Sequence, residues 1–186
     1  MSYHINHHHK LIIFSSQARN NSVILNWSAP NDNGSAVSQY YLIQLNQNSP
    51  IQVALNTLSY TFNNLTNGTS YNFTIWLVTS PDNGTTLVNG HVASLYASPS
   101  GLPIIVSLSL IANTLIATIN PNGSNLLSNY EVVTFDANNI PSIQTFNTPA
   151  VSQNGTVSLN QLFSGSVSKC TLFVGNSIGL VYSNSN

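Results

Sequence analysis

The sequence has very little charge. Charged side chains make up 4% of its 186 residues, against about 25% in a typical globular domain. Nucleic-acid binding depends on rows of basic side chains that neutralise phosphates, and this chain has only Lys10, Arg19 and Lys169. We therefore exclude nucleic acid as a partner.

Long apolar runs and paired cysteines are also missing. No apolar run approaches the roughly 18 residues that a membrane-spanning helix needs, so we predict no membrane insertion. The opening residues lack a small-residue cleavage pattern and are not predicted to be a secretory signal peptide. The single cysteine, Cys170, cannot form an internal disulfide. It falls at an inward position of a predicted strand, where we expect it to be a buried small hydrophobe.

The sequence is rich in asparagine and in short alternating apolar runs. It contains 28 Asn, and 42% of its residues are hydrophobic. The runs are separated by turn residues at the spacing typical of an all-β sandwich, and none has the period of an amphipathic helix. Asn-Gly pairs favour tight turns, so each predicts a strand reversal. They begin at Asn33, Asn67, Asn83, Asn89, Asn122 and Asn154.

The two halves of the chain repeat one pattern. Each has an alternating strand that ends at a proline, an Asn-rich turn, and a tyrosine that opens the next strand. The first copy comprises Val23, Leu25, Trp27, Pro30 and Tyr40, and the second comprises Leu115, Ala117, Ile119, Pro121 and Tyr130. Later positions also match, with Tyr60, Phe62 and Leu65 corresponding to Val157, Leu159 and Leu162. We predict modules over residues 11–98 and 99–186, joined by a short Pro/Ser/Gly linker and preceded by a His-rich arm over residues 1–10.

The first half resembles the fibronectin type III family. The resemblance depends on Trp27 before Pro30 and on the segment from Leu65 to Tyr71. In that family such a Leu and Tyr form a tyrosine corner, in which the ring is buried and the hydroxyl bonds nearby backbone. The resemblance implies two tandem antiparallel sandwiches of the immunoglobulin-like or fibronectin-type-III-like class.

The second half is similar to the family in spacing but lacks its large aromatic residues. Val174, Asn176 and Gly179 match the family's strand-ending pattern, whereas Ile119 and Ser168 stand where Trp and the corner Tyr are expected. Because two large rings are missing, we expect a second core that is thinner, less stable or completed by a neighbour.

We find no arrangement of residues that predicts catalysis, a cofactor or a metal site. Acid–base chemistry needs two positioned titratable groups, and the carboxylates are scattered at Asp32, Asp82, Glu131 and Asp136. Asp32 and Asp82 lie in predicted turns, where Asp typically bonds backbone. The histidines at 4, 7, 8 and 9 form a cluster with metal-binding chemistry, but their spacing favours a mobile or tag-like arm. His91 is predicted to be an isolated surface residue. We predict that the chain is not an enzyme.

Two features are candidates for contact with a partner. One is the loop over residues 80–86, with candidate contact residues Pro81, Asp82, Asn83 and Gly84. The other is Trp76, which lies between inward Ile75 and Leu77 and is therefore expected on the outer face of its sheet. An outward Trp fits either glycan stacking or the cover of an edge or module interface, and we favour the cover.

The low charge leads to our functional prediction. Edge strands without charges pair with other chains, and a small net charge gives little colloidal repulsion. We predict a structural component of a large assembly, such as a virion capsid-associated or surface-fibre protein, whose sandwiches act as bricks or spacers among copies and neighbouring structural proteins. Two alternatives stay open: an adhesive or carbohydrate-binding module for a receptor or glycan, and an accessory module of a larger secreted protein. The expected location is a virion, a cell surface or the extracellular space.

Overall fold

The chain divides into two compact units of β-structure. The structure is a computed structural model, and it describes residues 12, 14–29, 37–82, 84–124, 127, 129–145, 157–176 and 178–185. The second unit consists of Pro99–Asn186 together with Arg19–Asn21 and Thr66–Thr69, and the first consists of the remaining residues up to Ser98. Across these described ranges there is no helix, and so none that could cross a membrane.

The first unit is a sandwich of two antiparallel sheets. One sheet has the order β1-β2-β5, and the other has the order β4-β3-β6-β7, with β8 also paired to β6. The strands are β1 (Phe14–Arg19), β2 (Ser22–Trp27), β3 (Val37–Leu45), β4 (Ile51–Val53), β5 (Ser59–Phe62), β6 (Tyr71–Ser80), β7 (Val88–Asn89) and β8 (Ala93–Ala97).

The second unit repeats this two-sheet architecture. Its sheets have the orders β13-β10-β9 and β12-β11-β14-β15, and their neighbouring strands are antiparallel. The strands are β9 (Ile104–Ile111), β10 (Thr114–Asn120), β11 (Asn129–Phe135), β12 (Pro141–Thr145), β13 (Val157–Leu162), β14 (Lys169–Gly175) and β15 (Leu180–Asn184). The all-β tandem sandwich predicted from the sequence is confirmed.

The first core is formed by residues that alternate along facing strands and is rich in aromatic rings. Because successive side chains of a strand point to opposite faces, every second residue of β2 and β6 enters the core. The indole of Trp27 contacts the ring of Tyr41 edge-on, with centroids 5.7 Å apart, and the rings of Phe62 and Phe73 are 5.3 Å apart. The core includes Val23, Leu25, Trp27, Tyr41, Ile43, Phe62, Leu65, Phe73, Ile75 and Leu77.

The second core is continuous but has fewer rings. Among the described residues its buried aromatic side chains are Tyr130 and Phe163, and Ile119 is fully buried. The core residues are Leu115, Ala117, Ile119, Leu127, Tyr130, Val132, Val157, Leu159, Phe163, Cys170, Leu172 and Val174. The predicted lack of large rings is thus partly offset by Phe163, and the predicted burial of Cys170 is confirmed.

Asparagine forms many of the turns, but only some are at Asn-Gly pairs. Asn122 and Gly123 have φ values of 54° and 86° and lie between β10 and β11, as predicted. Five other described Asn residues are left-handed and are not followed by a glycine, namely Asn21, Asn46, Asn64, Asn113 and Asn139.

The prediction of a reversal at Asn89 is wrong. Both β7 and β8 pair antiparallel with β6, so the chain continues in one direction through Asn89 and Gly90. The N–H of Gly90 donates to the carbonyl of Leu77 at 2.8 Å, which keeps this link against β6. The predicted reversals at Asn33, Asn83 and Asn154 lie outside the described residues.

Candidate functional site

The aromatic signature of the first unit lies at its core. Trp27 and Leu65 are buried, and Tyr71 is half-buried with its ring 6.4 Å from that of Phe73. Tyr40 is half-buried on β3. Pro30, the remaining signature residue of this unit, lies outside the described residues.

In the second unit, the expected match between Leu65 and Leu162 is wrong. The side chain of Leu162 is 67% exposed, whereas that of the next residue, Phe163, is 4% exposed and lies in the core. Along β13 the inward residues are Val157 and Leu159, so Leu162 falls on the outward face. The same alternation places Phe163 on the inward side, and just past the end of the strand its N–H donates to the carbonyl of Asn113 at 3.0 Å.

The side chain of Asn176 stabilises the connection between β14 and β15. It is buried, and its Nδ2 donates to the carbonyl of Gly101 at 2.7 Å. Its Oδ1 accepts from the N–H groups of Ile178 at 2.9 Å and Gly179 at 3.2 Å. A Cβ at Gly179 would lie 2.8 Å from Cδ2 of Leu102, so a larger residue there would need that exposed side chain to move aside. Pro121 and Tyr130 are also buried, and burial raises the pKa of Tyr130.

Asp82 organises the candidate contact loop of the first unit. Its Oδ1 accepts from the hydroxyl of Ser80 at 2.9 Å and from the N–H of Thr86 at 2.6 Å, and its Oδ2 accepts from the Thr86 hydroxyl at 2.5 Å. These bonds, those from Thr86 above all, lower the pKa of Asp82 to about 2. The oxygen of Ser80 also accepts from the N–H of Gly84 at 2.6 Å. Gly84 has φ 104°, a conformation that glycine adopts far more readily than other residues.

The loop side chains that the structure describes are accessible, but Trp76 is not. Pro81, Asp82 and Gly84 are exposed, and Asn83 lies outside the described residues. Trp76 pairs with Leu42 across β3 and β6 and is only 9% exposed. Its indole N–H is buried without a hydrogen-bond partner among the described residues. A buried indole cannot stack on a glycan from outside, so that role is wrong for this residue.

The described titratable groups do not form an acid–base pair. The second unit has a cavity of about 270 Å³, lined by Gln144, Phe163 and Asp136 among others. The carboxylate of Asp136 accepts from the backbone of Asn138 and Ile140, both at 2.8 Å, so it forms a turn, as Asp82 does. Asp32 and the histidines at 4, 7, 8 and 9 lie outside the described residues. His91 is exposed, and the described residues contain no cluster suited to a metal.

The largest feature missed by our sequence analysis is a surface of the second unit, which we call the β11–β14 face. It is formed by the outward side chains of β12, β11, β14 and β15. Phe173 packs there against Tyr182 with ring centroids 5.7 Å apart, and the ammonium of Lys169 lies 4.7 Å from the ring centroid of Phe135. Glu131 shares the face, because its neighbours in sequence point into the core. The alternation along β11 and β14 indicates which of their side chains point outward, but only the strand register shows that these side chains share one surface.

Comparisons with known proteins give the following similarities. The sequence profile of the fibronectin type III domain matches residues 10–86. A segment of two fibronectin type III domains from chicken tenascin is 16% identical, with 94% of this chain and 97% of that chain covered and a TM-score of 0.43. The chicken interferon gamma receptor alpha chain is 14% identical, with 91% and 95% covered and a TM-score of 0.41. No match was found among curated protein sequences.

The profile match covers the Trp27 strand, the tyrosine-corner segment and most of the strands of the first unit. The second unit has the same kind of two-sheet sandwich without the Trp or the corner Tyr. The chain is therefore a tandem of two fibronectin-type-III-like sandwiches, in which residues 10–86 match the fibronectin type III profile and the second sandwich is divergent.

Proposed function

We propose that this chain is a non-enzymatic structural module that builds a large assembly by contacts between sheet edges. Domains of this fold are commonly adhesive or accessory modules, and a fold alone does not assign one of these functions. The observation that carries the proposal is the lack of charge, proline or a bulge on most of the described edge strands.

Unprotected edges support association because their backbone N–H and C=O groups can pair with another chain. Free sandwich proteins usually block this pairing with lysine, proline, bulges or inward charges. Of the described edge strands, only β1 contains a charged residue, Arg19, and only β12 contains a proline, Pro141.

The strand β13 is the edge best suited to pairing. It pairs with β10 over Val157–Leu162 without a shift in register, and it has neither charge nor proline. By contrast, β9 is interrupted by a bulge, a feature that discourages addition of a further strand. The outward residues of β13 are Ser158, Asn160 and the apolar Leu162. A second strand could extend this sheet through backbone hydrogen bonds.

The setting that we propose for the assembly is a virion shell, a virion-surface fibre or a cell-surface filament. Composition supports it, since 4% charge suits a protein packed among neighbours better than one at high free concentration. Its partners would be further copies and neighbouring structural proteins.

The test is a charge placed on the β13 edge. In Leu162→Lys, a lysine replaces a side chain that is 67% exposed, so folding should be retained while strand addition is blocked. We expect the purified chain to associate reversibly as its concentration rises in sedimentation velocity, and the variant to associate much less. Leu55→Lys, in the turn between β4 and β5, is the matched control and should behave as the original chain does.

Two results would contradict edge pairing. One is an original chain that stays monomeric from micromolar to millimolar concentration. The other is an equal loss of association in Leu162→Lys and Leu55→Lys, which would indicate an effect of net charge rather than of the edge.

A second candidate function, adhesion through the 80–86 loop, is favoured by the bonds around Asp82. A loop that its own side chains hold in one shape loses little entropy on binding. Asp82→Ala, which removes those bonds, should abolish adhesion of chain-coated beads to cells or glycans if the loop is the contact. Unchanged adhesion would exclude it.

A further inference from the structure

We propose that the β11–β14 face binds the same face of a second copy in a two-fold dimer. This inference rests on the proposed function, because it names one neighbour in the assembly and the surface that binds it. The face differs from the β13 edge, which belongs to the other sheet of the same unit.

The face presents apolar side chains to solvent at both of its outer strands. Ile143 on β12 is 67% exposed and Tyr182 on β15 is 68% exposed. Between them, Val133 and Phe173 are half-buried. Contiguous exposed apolar surface on a soluble domain typically marks an interaction site.

The only described charges on this face have opposite signs and lie at opposite ends. Glu131 on β11 is opposite Phe173, and Lys169 on β14 is opposite Phe135, four residues further along β11. Four residues of strand and one interstrand step separate the two by about 14 Å. At that distance the two side chains do not form a salt bridge within one chain.

This arrangement is complementary to itself. A two-fold axis can lie in the plane of the face, pass through the pair Val133 and Thr171 and run perpendicular to the line from Glu131 to Lys169. It would place Glu131 of each copy over Lys169 of the other. Contacts of this reciprocal kind are the property of a two-fold interface. A partner with an unrelated surface would have to supply both charges in the same arrangement.

The packing angle implied by this axis is realistic. From the strand geometry, the line from Glu131 to Lys169 is inclined by about 20° to the strands. The two-fold axis doubles this inclination, so the facing sheets would cross at about 40° by the same geometry. Sheets packed face to face in aligned sandwiches cross at about 30°.

The size of the face indicates a weak dimer. Four strands of five residues cover about 19 by 17 Å, or roughly 320 Å² on each partner, which is well below the roughly 800 Å² per partner of a standard interface. We therefore expect a weak, transient dimer, whose dissociation constant lies in the micromolar range or above at moderate salt.

The experiment is a charge swap on the full chain, measured by sedimentation equilibrium. Glu131→Lys and Lys169→Glu each replace two attractive contacts in the dimer with two repulsive ones, so each should raise the dissociation constant at least about tenfold. The double variant restores opposite signs at both contacts and should return the constant to near that of the original chain. Arg19→Glu makes the same change in net charge as Lys169→Glu outside the face, and it should have no effect.

The outcomes separate this inference from the proposed function. Weaker association of both single variants, restored in the double variant, supports the dimer. Equal dissociation constants for all variants overturn the dimer, and so does weaker association that the double variant does not restore. If Leu162→Lys blocks association while the charge variants do not, edge assembly stands and the face-to-face dimer is wrong. If the charge variants behave as expected and Leu162→Lys has no effect, the dimer stands and edge assembly is wrong.

Discussion

Replacing Phe163 with alanine should destabilise the second unit far more than the same replacement of its neighbour Leu162. Phe163 is 4% exposed and packs in the second core, whereas Leu162 is 67% exposed. Removing a buried phenyl ring loses its burial and leaves a cavity, which typically costs about 3–5 kcal/mol. Leu162 buries only a third of its surface and would leave no cavity, so Leu162→Ala should cost less than about 1 kcal/mol.

The assay must report on the second unit alone. Both tryptophans of the chain, Trp27 and Trp76, lie in the first unit, so tryptophan fluorescence does not follow the unfolding of the second. Native-state hydrogen exchange of the β10 and β14 amides gives the free energy of opening of those strands. The amides of β6 provide an internal reference in the same sample, and they should keep their protection in both variants.

Comparable losses of protection in the two variants would contradict the assignment of Phe163 to the core. A larger loss in Leu162→Ala would contradict it too, because Leu162 would then occupy the core position that the sequence repeat assigned to it. Phe163→Leu provides a milder step in case Phe163→Ala does not fold, and it should still cost more than Leu162→Ala.

Two further predictions concern turns. Ala112 has φ 45°, a left-handed conformation that costs a residue with a Cβ roughly 1 kcal/mol, so Ala112→Gly should raise the free energy of unfolding by a few tenths to about 1 kcal/mol. Ala137 lies in an exposed turn without a positive φ, so Ala137→Gly should lower the free energy of unfolding instead. Hydrogen exchange of the β10 and β11 amides distinguishes the two variants. Because the pKa of Asp82 in the folded chain is about 2, below its ordinary value of 3.8, its bonds stabilise the loop above about pH 4 and are lost as pH falls through 2. The amide resonance of Thr86 should shift with that midpoint, and a midpoint near 4 would contradict the bonding.

The fold was predictable from the sequence because strand alternation and turn chemistry agree along most of the chain. Val23, Leu25 and Trp27 alternate into the core as predicted, and so do Leu115 and Ile119. Each of these runs lies inside a strand, where the period of two leaves no ambiguity about which face a side chain joins.

The failures lie where the repeat alignment departed from alternation or where alternation does not determine burial. Along β13 the period of two from Val157 and Leu159 places Leu162 outward and Phe163 inward, but the three-residue step from Phe62 to Leu65 in the first half led the alignment to choose Leu162. At Trp76 the predicted face is the outer one, but a period of two does not tell whether that face is covered, and the indole is buried. The prediction of a strand reversal at Asn89 was wrong for a related reason, since an Asn-Gly pair can also link two segments that pair with the same neighbouring strand.

The candidate surfaces were harder to predict than the fold. The role of Asp82 as a turn residue was predictable, because short carboxylates favour backbone bonding in turns. The β11–β14 face was not, because Glu131 and Lys169 are 38 positions apart in the sequence and only the strand register places them on one surface.

The asparagine residues that form the turns make the chain prone to slow deamidation. Asparagine side chains hydrolyse slowly to aspartate, which is one reason that heat-adapted proteins have few of them. Each such event adds a negative charge to a chain whose formal net charge is −1, and like-charged copies repel one another. An assembly made of this protein would therefore accumulate internal repulsion as it ages, so that the residues that shape its turns also limit its lifetime.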